Sequence, residues 1–524
     1  MTWIVIKEER GKIKLVSKGH DTKTMLPKGA YLTTEESKSD VKHILRVVET
    51  EQDATFTPTA MLVDMDHNPL RQDRVSKNII RAERIAQIPD TEDWHMITVL
   101  TEARKSTQEE IDYVMDSDND GPRVFPATVY ANKNRPLKDA NGNYISVSLP
   151  KSMFFHQAMI CGATGSGKTV ALKYLAQYFA EEMDGAVLAI NVKDVDLLKM
   201  EAPSTTKSED VRNEWKSLGK KPKGIENFTI YYPSNSVIPP GQGVDEERTH
   251  KITLNVNSID PDALSGLLHN VTDMAADFLP DIFRYWLEEV AEENPQFSNF
   301  VEYFGRASEE KRFSTKNSRG IISREGIQLA PGTYSNIQRN LHSAMLFFDD
   351  PDATTISATP TEGTYHILER GKMSVIDLHD ESATKFGSVL LRHILKEIVE
   401  AKNRSESDVP ILIIIDEVHR FYSNTGTQQA LGKLNEICRT GRSQKIGVIF
   451  ASQNARDMPK GISAVINTKI FFKSEGKSVS DQGLSVTKDE ISRLKAGFAA
   501  ASVHDMPELK IIKFPLAFAG VVDE

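Results

Sequence analysis

Cysteine is nearly absent: the 524 residues include two, Cys161 and Cys438. Two isolated thiols exclude a disulfide framework, and nothing around them has metal-ligand spacing. Long apolar runs are also missing. The longest near the functional motifs, Ile411 to Ile415, falls far short of the roughly 20 residues of a membrane span, so no membrane is expected as a partner. The opening Met-Thr-Trp-Ile-Val-Ile-Lys-Glu-Glu-Arg turns charged too soon for a signal peptide. A reducing, cytoplasmic location is therefore expected. Positive charge is not in excess: 64 Lys and Arg against 74 Asp and Glu leave a net charge of −10. That balance argues against a surface coated for nucleic acid and leaves room for a local basic channel. Internal repeats and low-complexity tracts are absent.

What is present is a globular composition, 39% hydrophobic and 26% charged, on a chain too long for one ordinary core. Two to four domains are expected. Residues 1 to about 148 read as mostly β, with short runs such as Ile4–Ile6, Ile13–Leu15, Ala60–Val63 and Met96–Val99 between turn residues. Asn141-Gly142 is a tight-turn signal, and a small barrel or sandwich would close such strands.

The texture changes near Leu149. Ala158–Cys161 reads as a buried strand, a glycine-rich loop follows, and Val170, Leu172, Leu175, Ala176 and Phe179 then recur at helical spacing. A second strand, Ala186–Ile190, completes the start of a mostly parallel sheet. Residues from about 200 to 365 interrupt the alternation with amphipathic helices around Ile282–Val290 and Ile337–Leu346. Strands resume at Met373–Asp377, Ile411–Ile415 and Ile446–Ala451.

Gly162-Ala163-Thr164-Gly165-Ser166-Gly167-Lys168-Thr169 fits G-x-x-x-x-G-K-[ST] in full. Its glycines let successive backbone N–H groups curl around phosphate oxygens at a helix N-terminus. Lys168 would neutralise the β- and γ-phosphates of ATP and the Thr169 hydroxyl would ligate Mg²⁺. The nucleotide-contacting stretch is expected to run from Gly162 through Val170. Ile411–Ile415 delivers Asp416 and Glu417 to a strand end, Asp416 for the metal and Glu417 as general base toward water. Ile446–Ser452 ends in Gln453, an amide suited to sense the γ-phosphate. Arg439 and Arg442 precede that strand and are candidates for a cation reaching a neighbouring subunit's site. Asp116–Gly121 begins like an EF-hand loop, but Ala127 stands where a bidentate Glu is required.

Asp416-Glu417-Val418-His419 evokes a DEAH-type helicase. Against that reading, a long helical block separates Lys168 from Asp416, and Ala451-Ser452-Gln453 stands where a Ser-Ala-Thr element would be expected. Residues 454–524 are also too few for a second RecA-like lobe, so another subunit is expected to complete any shared site. The set instead resembles the HerA branch of the HerA/FtsK ATPases. The resemblance rests on Leu149-Pro150, Phe154 and His156 leading into Gly162–Thr169. It continues in Asp416-Glu417-Val418-His419-Arg420-Phe421, Ile437–Arg442, Gly447–Gln453 and Asp457.

This resemblance implies an α/β fold with a RecA-like P-loop core. An N-terminal β-barrel would span 1–148 and the first part of the core 149–200. A mainly helical insertion would cover 201–366, the second part of the core 367–505, and a tail 506–524. It implies a homohexamer that hydrolyses ATP with Mg²⁺ and moves double-stranded DNA through a central pore. A NurA-like nuclease, or a sirtuin-like or nuclease effector of an anti-phage system, would be its partner. Lys168, Glu417 and Gln453 would act catalytically, with Arg442 and then Arg439 as the trans-acting cation. Arg456, Lys460 and the Lys216–Lys223 loop are candidate pore contacts. A regulatory ATPase scaffold for an anti-phage effector and a type IV secretion-like protein-transport ATPase are the alternatives. Asn191-Val192-Lys193-Asp194 departs from the family's Asp-x-x-Gly-Glu-Tyr pattern.

Overall fold

The computed structural model describes residues 2–9, 11–17, 25–35, 41–54, 76–93, 95–115, 120–130, 133–192, 197–234, 236, 245–268, 273–306, 312–379, 381–421, 434, 437, 440–458, 465–474, 484, 486–506 and 510–522. The chain divides into two compact units. One comprises Met1–Lys151, Glu209–Lys220 and Gly483–Pro515; the other comprises Ser152–Ser208, Lys221–Gln482 and Leu516–Glu524.

In the first unit, six antiparallel strands form a closed barrel. They are β1 (Trp3–Glu9), β2 (Lys12–Ser17), β3 (Tyr31–Glu35), β4 (Lys42–Ala54), β5 (Ser76–Ile88) and β6 (Glu102–Lys105), in the order β1-β2-β5-β4-β3-β6. Period-2 alternation buries Ile13 and Leu15 against Trp3, Val5, Leu45 and Ile80. Closing the sheet on itself leaves these strands without an open edge. Met96–Val99, expected as a strand, is a loop. Thr101 spends both its N–H and its hydroxyl on Thr98 O, closing a local turn, so Met96 and Val99 are 71% and 54% exposed. Ala60–Val63 lies outside the described residues.

A helix follows β6, Gln108–Val114, capped by Thr107 and Glu110 in a reciprocal capping box. Beyond it, β7 (Arg123–Tyr130) pairs with β8 (Lys133–Pro136) and β9 (Val147–Ser148), and also with the late strand Ile511–Lys513. The Asn141-Gly142 turn is present: Asp139 Oδ1 accepts the N–H groups of Asn141 and Asn143 at 2.9 and 2.8 Å. The helix Glu209–Ser217 also belongs here, with the Glu214 carboxylate paired to Lys513. This unit therefore gathers stretches that the sequence divides among an insertion, a core and a tail.

The second unit is built on a parallel sheet of β10 (Ala158–Cys161), β11 (Ala186–Asn191), β12 (Phe228–Pro233), β13 (Thr249–Ile252), β18 (Met373–Asp377), β19 (Ile411–Ile415), β20 (Ile446–Ser452) and β21 (Thr468–Phe472). Their order is β13-β12-β18-β11-β19-β20-β10-β21. β10, β11, β18, β19 and β20 are buried along their whole length. Such unbroken apolar runs are the pattern of strands covered on both faces. The helices Lys168–Glu181 and Glu381–Asn403 belong to this unit.

The stretch 201–366, expected to be mainly helical, is mixed. It supplies β12 and β13, which extend the parallel sheet, because Phe228 and Ile230 on one face and Tyr231 on the other are buried along a short β-favouring run. It also supplies the small pairs β14 (Arg312–Lys316) with β15 (Ile322–Gln328) and β16 (Thr355–Ser357) with β17 (Thr364–His366). Its helices Asp273–Tyr285, Phe297–Arg306 and Pro331–Ala344 pack through aromatics. Phe283 meets Phe300 edge-on at 4.9 Å, and Phe304 stacks on Phe313 at 4.6 Å and on Tyr334 at 5.2 Å. Among the described residues, no helix is long and apolar enough to cross a membrane.

Candidate nucleotide site

β20 lies between β10 and β19, parallel to both, with Cys161 opposite Ser452 and Ile415 opposite Phe450. The strand-end motifs Gly162, Gln453 and Asp416 therefore emerge side by side at the carboxyl edge of the sheet, where open α/β sheets place their ligands.

The loop after β10 is anchored at its base: Gly162 N–H donates to Ser452 O and Ala163 N–H to Lys473 O, at 3.2 and 2.8 Å. Gly165 and Gly167 have φ of +73° and +99°, which only glycine adopts at little cost. At Gly162 a Cβ would lie 2.6 Å from both Phe472 Cβ and Ser166 Oγ. The loop then opens into the helix Lys168–Glu181, whose first turn carries no acidic residue. Thr169 and Val170 continue that turn, partly exposed. The Ser166 hydroxyl is buried without a hydrogen-bond partner among the described residues. Curled backbone donors at the N-terminus of a 14-residue helix fit a polyphosphate. The Thr169 hydroxyl and Asp416 carboxylate are hard oxygen donors of the kind Mg²⁺ takes beside substrate phosphates.

Lys168, Asp416 and Glu417 are 4%, 1% and 2% exposed, so their charges have to be satisfied by one another or by a ligand. The Lys168 ammonium sits 3.0 Å from Glu417 Oε1 and 3.3 Å from Asp416 Oδ1. Glu417 takes a left-handed backbone, φ +46°, and its N–H donates to Asp416 Oδ1 at 2.9 Å. This local bend turns the second carboxylate into the site directly after the strand ends. Gln453 Nε2 donates to Glu417 Oε1 at 3.4 Å.

The contacts of His419 and Asp457, which the sequence shows only as motif residues, were missed. His419 Nδ1 lies 3.5 Å from Glu417 Oε2 and 4.0 Å from Asp457 Oδ2, and Asp457 accepts the Ser452 hydroxyl at 2.7 Å. The acidic motif is thereby tied to the end of β20. Also missed was Asp377, at the end of β18 opposite Asn191. Its carboxylate accepts from Asn191 Nδ2 at 2.9 Å and lies 2.9 Å from His379 Nδ1. Burial pushes its pKa up against these partners. The available signal was an apolar run ending in Asp, the same pattern that marked Asp416. Cys161 is buried and its thiol is pushed up to about 12, so it is no nucleophile.

Arg442 is exposed in the turn before β20. It stands at the amino end of that seven-residue strand, about 20 Å from the edge where Lys168 sits. Arg439 and Cys438 lie outside the described residues, as do Lys460, Lys193–Asp196 and Asp116–Asn119. Arg456 is exposed; of the expected Lys216–Lys223 loop, Lys216 and Ser217 instead close the helix Glu209–Ser217, and Lys223 pairs with Glu226 at 3.1 Å.

The chain is similar to the DNA double-strand break repair helicase HerA of Sulfurisphaera tokodaii, 28% identical over 174 residues, 29% of this chain and 34% of that one. The protein of the same description from Sulfolobus acidocaldarius is 28% identical over 171 residues, with the same shares. The chain thus spans about a third of the length of the curated relatives it matches. Among solved structures, the conjugative coupling protein TrwB in its unbound monoclinic form is 14% identical with a TM-score of 0.46, covering 72% of this chain and 88% of that one. VirB4 of Thermoanaerobacter pseudethanolicus is 13% identical with a TM-score of 0.45, covering 76% and 96%. The family model for the central domain of helicase HerA matches residues 136–398, half of the chain, and the chain accordingly belongs to the HerA-like ATPases of the HerA/FtsK family.

Proposed function

We propose that this protein is an ATP-driven motor on double-stranded DNA, working as a homohexameric ring with a nuclease or other effector subunit. The observation that carries the reading is the convergence of Lys168, Asp416, Glu417 and Gln453 at the ends of three adjacent parallel strands. Backbone N–H groups of Gly162–Thr169 hold the phosphates, and Lys168 offsets charge that grows on the β–γ bridging oxygen. Thr169 and Asp416 would hold Mg²⁺, which supplies Lewis-acid stabilisation of that charge. Water attacks the γ-phosphorus in line, the bond to the β-phosphate oxygen breaks, and Glu417 takes the proton. Gln453 orients Glu417 and the water.

The Lys168–Glu417 ion pair gives this order a physical logic. While Lys168 pairs with Glu417 at 3.0 Å the carboxylate is engaged by the ammonium; phosphates that draw the ammonium away free it to face the water. Arg442, remote from its own loop, serves a neighbouring subunit's site. The cytoplasm and a NurA-like, sirtuin-like or other anti-phage effector complete the reading, on the strength of family membership and composition.

The test is the ATPase rate with and without linear double-stranded DNA at two salt concentrations, with Lys168→Ala as blank. Stimulation by DNA that fades as salt rises is expected. Glu417→Gln should lower the rate by about 10²- to 10⁴-fold. A rate indifferent to DNA, yet lost in Lys168→Ala, would remove DNA as the substrate and leave a scaffold or protein-transport ATPase.

A further inference from the structure

The pair β14–β15 stands apart from every other sheet of the described residues. Its base is fixed: Phe313 is buried and stacked on Phe304, and Lys316 pairs with Glu289 at 2.7 Å and with Glu288. The Thr315 and Ser323 hydroxyls join the two strands at 2.9 Å. Its tip is fixed too. Asn317 Oδ1 accepts the N–H groups of Arg319 and Ile321 at 2.9 and 3.1 Å, and Gly320 turns the chain at φ +74°. What this frame displays is exposed. Residues 318–326 all face solvent, with Ile321 and Ile322 at 58% and 44%. Arg312, Arg319 and Arg324 are exposed on the same 17-residue stretch, against the single acid Glu325.

Two features make this unlike an ordinary solvated hairpin. An exposed hairpin with Ile321 at its turn and Ile322 at the start of an open strand is a liability that a chain usually covers or blunts. The local charge is also positive, while the chain as a whole carries −10. We infer that the β14–β15 hairpin is a DNA-contacting element, with Arg312 and Arg319 on backbone phosphates and Ile321–Ile322 against the sugar wall of a groove. Guanidinium forks bind phosphate oxygens without reading sequence, which suits a motor that must pass every base pair, and apolar side chains such as Ile are used by proteins that contact the minor groove. The cap by Asn317 holds the tip ready, so little ordering is needed on contact. Charge complementarity selects a polyanion over an apolar protein face as the occupant.

This inference rests on the DNA reading above, and one experiment separates the two. Binding of a fluorescein-labelled linear duplex to the full chain is followed by anisotropy across a salt series. Wild type is compared with the double variant Arg312→Gln/Arg319→Gln and with Ile321→Ser. Neither variant touches the nucleotide site, so the DNA-free ATPase rate reports folding. The arginine variant should bind on the order of 10- to 100-fold more weakly near 0.1 M salt. Its plot of log affinity against log salt should be shallower by about 1.8, the loss of two phosphate contacts. Ile321→Ser should weaken binding without changing that slope. Unchanged affinity and slope in the arginine variant, with wild type binding normally, would overturn the hairpin and leave the DNA reading standing. Intact DNA binding with a smaller assembly in sedimentation would overturn it in favour of a contact between copies. No salt-sensitive binding by wild type would remove both.

Discussion

At the scale of single residues, the site is a set of buried charges that only one another or a ligand can satisfy. Lys168 faces two carboxylates within 3.3 Å, so removing it leaves an uncompensated acidic pair as well as a lost phosphate contact. Gln453 is the more discriminating probe. Its amide reaches Glu417 Oε1 at 3.4 Å, a contact that concerns the position of the base more than the affinity for nucleotide. Gln453→Ala should lower kcat by about 10- to 100-fold while the ATP KM stays within about twofold. A raised KM with kcat unchanged would show instead that the amide serves ground-state binding. The residues of this centre were readable from the sequence because each sits at a fixed offset from an apolar strand. What His419, Asp457 and Asp377 do was not, although the first two stand within the family motifs and the third ends an apolar run. Their roles depend on which strand ends become neighbours, and that is set by a sheet order running against chain order.

At the scale of elements, the capping box after the barrel offers the clearest energetic test. Burial alone would raise the pKa of Glu110. Arg104 at 2.6 and 2.9 Å, the Thr107 N–H at 2.9 Å and the Thr33 hydroxyl at 2.8 Å outweigh it and hold the carboxyl near about 2. A carboxyl depressed in the fold stabilises it above its unfolded pKa, near 4.5, and loses that contribution as pH falls toward 2. Arg104 is 42% exposed, and solvent screening trims the gain. Glu110→Ala should therefore cost about 1–2 kcal/mol at neutral pH. The difference from wild type should shrink steadily below about pH 4.5. Denaturant unfolding at pH 7 and pH 3 measures both; an equal difference at the two pH values would show that packing, not charge, is what the substitution removes.

At the scale of the whole molecule, the question is whether one chain contains a complete site. β20 separates Arg442 from the edge that carries Lys168 by about 20 Å, so the proposed direct action of Arg442 on hydrolysis requires a neighbouring copy of the chain. Lys168→Ala and Arg442→Ala should each be nearly inactive, the latter by about 10³-fold. Mixed in equal amounts they should recover activity, because about a quarter of random boundaries in a closed ring pair an intact loop with an intact arginine. Absence of recovery, with mixed rings verified by mass, would show that Arg442 does not act in trans.

The sequence by itself determined the chemistry-bearing loop, the buried strands and the helix that opens from Gly167. Glycine spacing, apolar runs and helical periodicity are local signals that hold whatever surrounds them. It also carried the barrel's alternation, except at Met96–Val99, where a turn closed by Thr101 overrode a β-favouring run. The tertiary structure alone decided the rest. It inserted β20 between β10 and β19 and drew β12 and β13 out of a stretch that reads as helical. It also gathered Glu209–Lys220 and Gly483–Pro515 into the N-terminal unit. Most of those outcomes depend on pairings between residues far apart in the chain, such as Ala158 with Ile449 and Phe228 with Met373, where burial and hydrogen bonding across strands, not local propensity, set the free energy.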